Sequence, residues 1–231
     1  MAMIDRDGLV HSGRPLSAEK AEFAIDPVAV PPGLLAAGGQ VSLADVIEHR
    51  RPTVLIGTTG TGGRFDEATI RALSGTAARP VVMALSNPTS ACEATPTDVL
   101  RWSDGRAVVA TGSPFDPVRV NDAERPIGQA NNAFVFPGLG LGAVVAEARE
   151  ITDDMLLAAA RTLAQSVSAG RLNEGTLYPP ISDLGEVAHA IACAVVREAR
   201  ESGFGRHLHD EEIEPAVEAA TWKPEYVPLP V

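Results

Sequence analysis

The chain has 231 residues, 45% of them hydrophobic, and a formal net charge of −11. That length suits one large domain, or one domain with an appendage, and buries roughly 70% of its unfolded surface without help from disulfides or a structural metal. The acidic balance excludes nucleic acid as the expected partner and reads as solubility. Cys92 and Cys193 are the only cysteines, too few for a disulfide framework or a four-ligand zinc site, which predicts a reduced, cytoplasmic setting. The opening MAMIDRDGLV lacks the pattern of a signal peptide, and no stretch nears the roughly 20 apolar residues of a membrane span, so no membrane partner is expected.

In chain order, Pro27 to Gly39 is rich in Pro and Gly and predicts a surface loop. SLADVIEHR (42–50) predicts a short helix capped by Ser42, with Asp45 three residues on. Three apolar runs follow: TVLIG (53–57), PVVMALS (80–86) and AVVATG (107–112). Runs that do not alternate suit strands buried on both faces of a parallel sheet. Between the first two, FDEATIRALSG (65–75) reads as a helix stopped by Gly75; before the third, Thr95 caps a helix with Pro96 in its first turn and Asp98 near its positive end. This β-α-β-α-β rhythm predicts an α/β fold, a doubly wound Rossmann-type sheet with mostly parallel strands. Further on, ANNAFVFPG (130–138) suggests another short strand, before helical patterns at 139–149, 152–168, 182–202 and about 210–220. In 182–202, Leu184, Val187, Ile191 and Val195 mark one face, with Ser182 as cap and Gly203 as stop. The expected division is residues 1–150 as the sheet domain and 151–231 as a C-terminal helical portion.

Ligands of open α/β sheets bind beyond the carboxyl ends of the strands, so the turns there carry the functional signal. They are GTTGTGGR (57–64), SNPT (86–89) and TGSPFDPV (111–118). The first is not a P-loop, because Gly63 and Arg64 stand where Lys and Ser/Thr are required. Nor is it a complete dinucleotide fingerprint, because Phe65 replaces the third glycine. Asn87 before Pro88 either bridges a ligand carboxylate and a carbonyl or ribose oxygen, or closes a local Asx-turn. Asn131 and Asn132 pose the same choice. His207 and His209, two apart, do not share a helix face, His189 reads as packed, and Cys92 has no base partner, so no metal site or nucleophile is assigned.

The motifs ALSNPTSACEAT (84–95), GSPFDPV (112–118), GQANNAFVFPG (128–138), EGTLYPPISDL (174–184) and TWKPEY (221–226), in this order, resemble those of the malic enzymes. MIDRDGLV with HSGR (3–14) resembles the end of the second strand of that family's NAD-binding domain. The resemblance implies oxidation of L-malate with NAD or NADP and decarboxylation to pyruvate and CO2, with Mg2+ or Mn2+ as Lewis acid. It implies Asn87, Asn131 and Asn132 at the substrate, and Asp5, Gly57, Thr58, Thr59, Asn87 and Asn131 at the cofactor. Asp5 suits a free ribose hydroxyl, while neighbouring Arg6 could pair with the 2′-phosphate of NADP.

The same resemblance marks what is missing. The family's first strand and Gly-rich phosphate turn, its Tyr acid, its Lys base and its acidic metal ligands all precede the segment matched by residues 3–14. Hence no catalytic residue and no metal ligand is assigned here, the metal ligands lie outside the chain, and the chain alone is expected to be inactive. The expected partners are malate and pyruvate, a missing N-terminal catalytic half, and other copies in a homo-oligomer. The rival function is a non-catalytic interaction or regulatory module derived from a malic enzyme.

Overall fold

The computed structural model describes residues 1–36 and 40–223, which divide into two compact units, Met1–Ile127 and Gly128–Val231. The sequence division at 150/151 falls 23 residues later than this boundary. Residues 37–39 of the anticipated loop and the end of the TWKPEY motif lie outside the described residues.

Unit 1 opens with an antiparallel hairpin, β1 (Ile4–Asp5) and β2 (Gly8–Leu9), then α1 (Ala18–Ala21), α2 (Pro32–Ala36) and α3 (Leu43–Arg50). The Pro/Gly-rich stretch is therefore not irregular throughout, because Asp26 caps a 3-10 turn at Pro27–Ala29 and α2 follows. Helix α3 begins as expected: Ser42 Oγ accepts from Asp45 N at 3.2 Å, and Asp45 accepts from Ser42 N at 2.8 Å. Strands β3 (Val54–Gly57), β4 (Val81–Ala84) and β5 (Val108–Thr111) run parallel in that order, with α4 (Glu67–Thr76) and α5 (Pro96–Trp102) as crossovers. This is the parallel, Rossmann-type α/β arrangement the rhythm implied. The antiparallel pair β6 (Val118–Val120) and β7 (Ala123–Arg125) closes the unit.

Leu55, Val82 and Val109 lie side by side in register. Ile70 and Leu73 of α4, with Val99 and Leu100 of α5, pack on that face of the sheet. Helix α4 starts one residue after Asp66, whose carboxylate accepts from Thr69 N at 2.8 Å. Gly75 lies inside α4 and does not end it. Thr95 caps α5 as expected, accepting from Asp98 N at 3.1 Å. One expectation for the strands fails at the edge. β3 alternates, with Val54 45% and Ile56 58% exposed, whereas β5 is buried along its whole length. β3 ends the sheet order, so fewer neighbours cover it than cover β5.

Unit 2 contains β8 (Gly128–Gln129), α6 (Phe136–Val145), α7 (Asp153–Gln165), α8 (Ala169–Asn173), α9 (Leu184–Glu201) and α10 (Asp210–Ala220). The strand expected at 130–138 is a 3-10 turn at Asn132–Phe134 running into α6, because Asn131 caps the turn and Phe134 is drawn wholly into the core. Val187, Ile191 and Val195 of α9 form the centre of that core, against Leu139 of α6, Met155 and Ala159 of α7, and Ile213 and Val217 of α10. Ser182 sits in a 3-10 turn (Ile181–Asp183) before α9 and gives no side-chain cap. Gly203, at φ 74°, follows the helix end as expected. No helix among the described residues is long and apolar enough to cross a membrane.

Helix α6 approaches α9 through glycines. A Cβ on Gly138 would stand 2.4 Å from the Ala188 carbonyl oxygen, and one on Gly142 would stand 2.7 Å from the Ala192 oxygen and Val195 Cβ. Gly142→Ala therefore overpacks this contact and should lower stability by about 1–3 kcal/mol. Gly140→Ala meets nothing within 4 Å and should instead gain up to about 1 kcal/mol of helix propensity. Urea denaturation of the two variants beside the unsubstituted protein checks both signs.

Candidate functional site

The carboxyl ends of β3 and β4 lead into the two loops that the sequence singled out, and a residue it did not single out ties them together. Glu93 is fully buried. Its Oε1 accepts from Thr59 N at 2.7 Å, Thr59 Oγ1 at 2.9 Å and Ser86 Oγ at 2.5 Å, and its Oε2 from Ser86 N at 3.3 Å. Ser86 Oγ accepts in turn from Gly60 N at 2.8 Å. Burial alone would push the Glu93 carboxyl up, but the hydrogen bonds from Ser86 and Thr59 outweigh it and hold the group below the usual carboxylate range. The backbone continues the seam, with Gly63 N donating to the Cys92 carbonyl at 3.3 Å and Phe65 N to the Glu93 carbonyl at 3.0 Å.

Gly57 serves this interior. A Cβ there would come within 2.7 Å of both Glu93 Cδ and the Phe65 ring. Phe65, which stands where a dinucleotide fingerprint needs glycine, is a core residue, 4% exposed. The outer part of the turn is open: Thr58 is exposed, and Gly60 and Gly63, at φ 67° and 74°, have nothing within 4 Å of a built Cβ. Both of Thr59's donors are held by Glu93.

Asn87 is exposed, and its Oδ1 accepts from Ser113 Oγ at 2.5 Å. Thr111 Oγ1, buried at the end of β5, donates to the Ser113 carbonyl at 2.9 Å and fixes that segment. Gly112 between them cannot be replaced, since a Cβ would meet the Leu85 carbonyl oxygen at 2.2 Å. With Oδ1 engaged, the Asn87 group left for a ligand is the Nδ2 donor, so its partner there is an acceptor such as a carboxylate or carbonyl oxygen. Cys92, buried beneath this loop, points its thiol at the Ala94 carbonyl at 3.1 Å, and burial pushes its pKa up, the opposite of a nucleophile's environment.

Asp5 stands in the β1–β2 hairpin and is ion-paired to Arg14 at 2.8 Å and Lys20 at 2.5 Å; its Oδ1 also accepts from Asp7 N at 2.8 Å. Arg6, the other cation considered beside it, is exposed. In unit 2, Asn131 Oδ1 accepts from Ala133 N at 2.9 Å, the Asx-type cap, while Asn132 is exposed with no side-chain hydrogen bond among the described residues. Among the described residues no group of three or more His, Cys, Asp or Glu is placed to hold a metal ion.

Glu93, Ser86 and Ser113 were not singled out in the sequence. The one signal for Glu93 is an acid between Cys92 and Ala94, two small apolar residues beside a polar loop.

Parallel strands with polar turns gathered at their carboxyl ends make this a Rossmann-type α/β protein. The family described as malic enzyme, NAD binding domain, matches residues 1–200, and the chain belongs to it. An NAD-dependent malic enzyme of Pseudomonas aeruginosa is 48% identical over 189 residues, covering 82% of this chain and 34% of its own length. One from Aliivibrio fischeri is 42% identical over 231 residues, covering 97% and 40%. The malic enzyme of Entamoeba histolytica superposes with a TM-score of 0.74 at 24% identity, over 95% of this chain and 41% of that one. That of Pyrococcus horikoshii superposes with a TM-score of 0.59 at 26% identity, over 78% and 37%. The chain thus spans well under half the length of these relatives.

Acid titration tests the hairpin. Burial would raise the Asp5 carboxyl, but Lys20, Arg14 and the Asp7 N–H bring it down from 3.8 to about 2. A depressed carboxyl contributes its full stability above the unfolded value and loses it as pH falls toward the folded one. Thermal melts of Asp5→Asn should therefore lie below those of the unsubstituted protein above pH 4 and converge with them near pH 2.

Proposed function

We propose that these residues form the NAD-binding part of a malic enzyme, which oxidises L-malate and decarboxylates the product to pyruvate and CO2. The observation that carries this reading is the family match over residues 1–200, joined to the assembly of its loops around Glu93 at the sheet's carboxyl ends. The open turn with Gly60 and Gly63 fits a dinucleotide, since its backbone admits close approach. NAD, when bound, supplies the hydride acceptor.

The chain's own residues bind and orient. Asn87 donates through Nδ2 to a substrate carboxylate or a carboxamide oxygen. Asn132, whose amide is unengaged among the described residues, is assigned a substrate contact of the same kind. Asn131 keeps its Nδ2 for ligand while its Oδ1 caps the turn. Gly57, Thr58 and Thr59 form the cofactor-side turn, and Asp5, once a ribose displaces one of its cations, accepts a ribose hydroxyl. The base on the malate hydroxyl, the acid for the enolate, and the carboxylates for Mg2+ or Mn2+ are assigned to a catalytic half outside these residues. Homo-oligomeric assembly and a cytoplasmic location belong to the same proposal.

Two measurements check it. Malate and Mn2+ added to this chain with NAD should yield no NADH, because hydride transfer needs a base and decarboxylation needs the metal. Turnover above a no-protein control would place that chemistry within the chain. By calorimetry, NAD and NADP should each bind more weakly than micromolar, because the Thr59 and Gly60 N–H groups of the turn before α4 are engaged by Glu93 and Ser86 and do not hold the pyrophosphate. Micromolar binding would reveal a substitute phosphate site. NADP binding more tightly than NAD would replace the ribose role of Asp5 with phosphate recognition by Arg14 and Lys20.

A further inference from the structure

A carboxylate wholly removed from water, with no cation paired to it among the described residues, is costly, and a neutral amide could stitch the same two loops together. What the carboxylate does that an amide donor would not is draw every donor toward itself. The N–H groups of Thr59 and Gly60 both turn inward, the first onto Glu93 and the second onto the Ser86 hydroxyl that Glu93 orients. Both peptides are trans. In a trans peptide the carbonyl lies opposite the N–H, so the Thr58 and Thr59 carbonyls face away from the buried carboxylate. Thr61 Oγ1 lies 3.4 Å from the Thr59 oxygen, a long contact that leaves the acceptor largely available.

This is the inverse of a phosphate loop. Glycine-rich turns bind phosphate by pointing successive N–H groups at it. Here the sequence GTTGTGG has the glycines, but its first two N–H groups past Thr58 are withdrawn, and a formal negative charge lies beneath them.

We propose that Glu93 is a positioning residue that sets ligand specificity: by holding the Thr59 and Gly60 N–H groups inward, it leaves the turn presenting the Thr58 and Thr59 carbonyl oxygens, which take hydroxyl or amide N–H donors of a nucleoside and reject phosphate. This deepens the dinucleotide reading and rests on it. It assigns the turn to the nucleoside side of the cofactor, away from the pyrophosphate. Ligand donors would bind the turn while ligand acceptors meet Asn87 Nδ2, so the two loops have opposite hydrogen-bonding polarity.

The test is an amide-resolved NMR titration of the 231-residue chain with millimolar nicotinamide riboside, which has hydroxyls and a carboxamide but no phosphate, and separately with inorganic pyrophosphate. The riboside should shift amides of residues 57–61, and pyrophosphate should leave them unmoved. Glu93→Gln keeps one acceptor oxygen but sets an NH2 group against the Ser86 N–H, so the inward peptides should loosen and the riboside preference should fall between that of the unsubstituted chain and that of Glu93→Ala. Glu93→Ala releases the N–H groups; riboside affinity should fall about five- to tenfold, the worth of a hydrogen bond or so, and pyrophosphate shifts should appear. If Glu93→Ala does not fold, Ser86→Ala frees the Gly60 N–H alone and should give a smaller change in the same direction. Pyrophosphate shifting the turn of the unsubstituted chain overturns the inference while leaving the dinucleotide reading intact. So does a variant that melts earlier yet keeps the original ligand preference, which is the result of a purely structural role. Failure of the riboside to move the turn overturns it as well; if full NAD at millimolar concentration also shifts no residue, the dinucleotide reading falls with it.

Discussion

A carboxylate sealed from water has to be given hydrogen bonds by whatever encloses it, and in unit 1 that requirement shapes the ligand side of the sheet. Glu93 sits below the carboxyl ends of β3 and β4 and takes donors from both loops that leave them. Its neighbours follow from it. Gly57 has no room for a side chain because the carboxyl and the Phe65 ring occupy that space, and Gly62 has none because the Ser90 carbonyl oxygen lies 2.5 Å from where its Cβ would be. The turn is thus pinned from beneath along its length, while its outer surface stays open. A rigid underside with an exposed backbone is what a preorganised binding turn requires.

Much of unit 1 was readable because its signals are local. Ser42 with Asp45, and Thr95 with Pro96 and Asp98, state helix starts within four residues, and the apolar runs state buried strands. The misreadings occur where distant contacts decide. The apolar FVF of 130–138 looks strand-like, yet Asn131 caps a 3-10 turn and Phe134 belongs to a helical core. Val54 and Ile56 look as buried as their counterparts in β5, but only position in the sheet order distinguishes an edge strand from an inner one. Glu93 was invisible for the same reason, since Thr59 lies 34 residues away and nothing in the local pattern marks a buried carboxylate. Asn87 was legible as an amide at a strand tip. Which of its atoms faces a ligand was not, because that depends on Ser113, 26 residues on.

Glycine carries different meanings in the two units. In α6, the spacing of Gly138 and Gly142 places both on the side toward α9, where the absence of side chains lets two helix backbones come close. Three glycines in FPGLGLGAVV weigh against a helix by propensity, although the pattern from 139 onward reads as helical. Packing against Ile191 and Val195 supplies what propensity withholds. In the β3–α4 turn, by contrast, Gly60 and Gly63 have no neighbours to accommodate, and their left-handed backbone is what the bend itself demands.

The outer edge of β3 has a practical meaning for anyone handling this protein. Its backbone has no strand partner on that side among the described residues, and Val54 and Ile56 lie beside it half exposed. An apolar, unpaired edge is a template for strand addition between molecules. The net charge of −11 opposes such association through long-range repulsion, which salt screens over about 8 Å at physiological ionic strength. Colloidal behaviour should therefore follow buffer composition more than it does for a typical acidic domain: dilute, low-salt solutions keep the edges apart, and salting the sample brings them together.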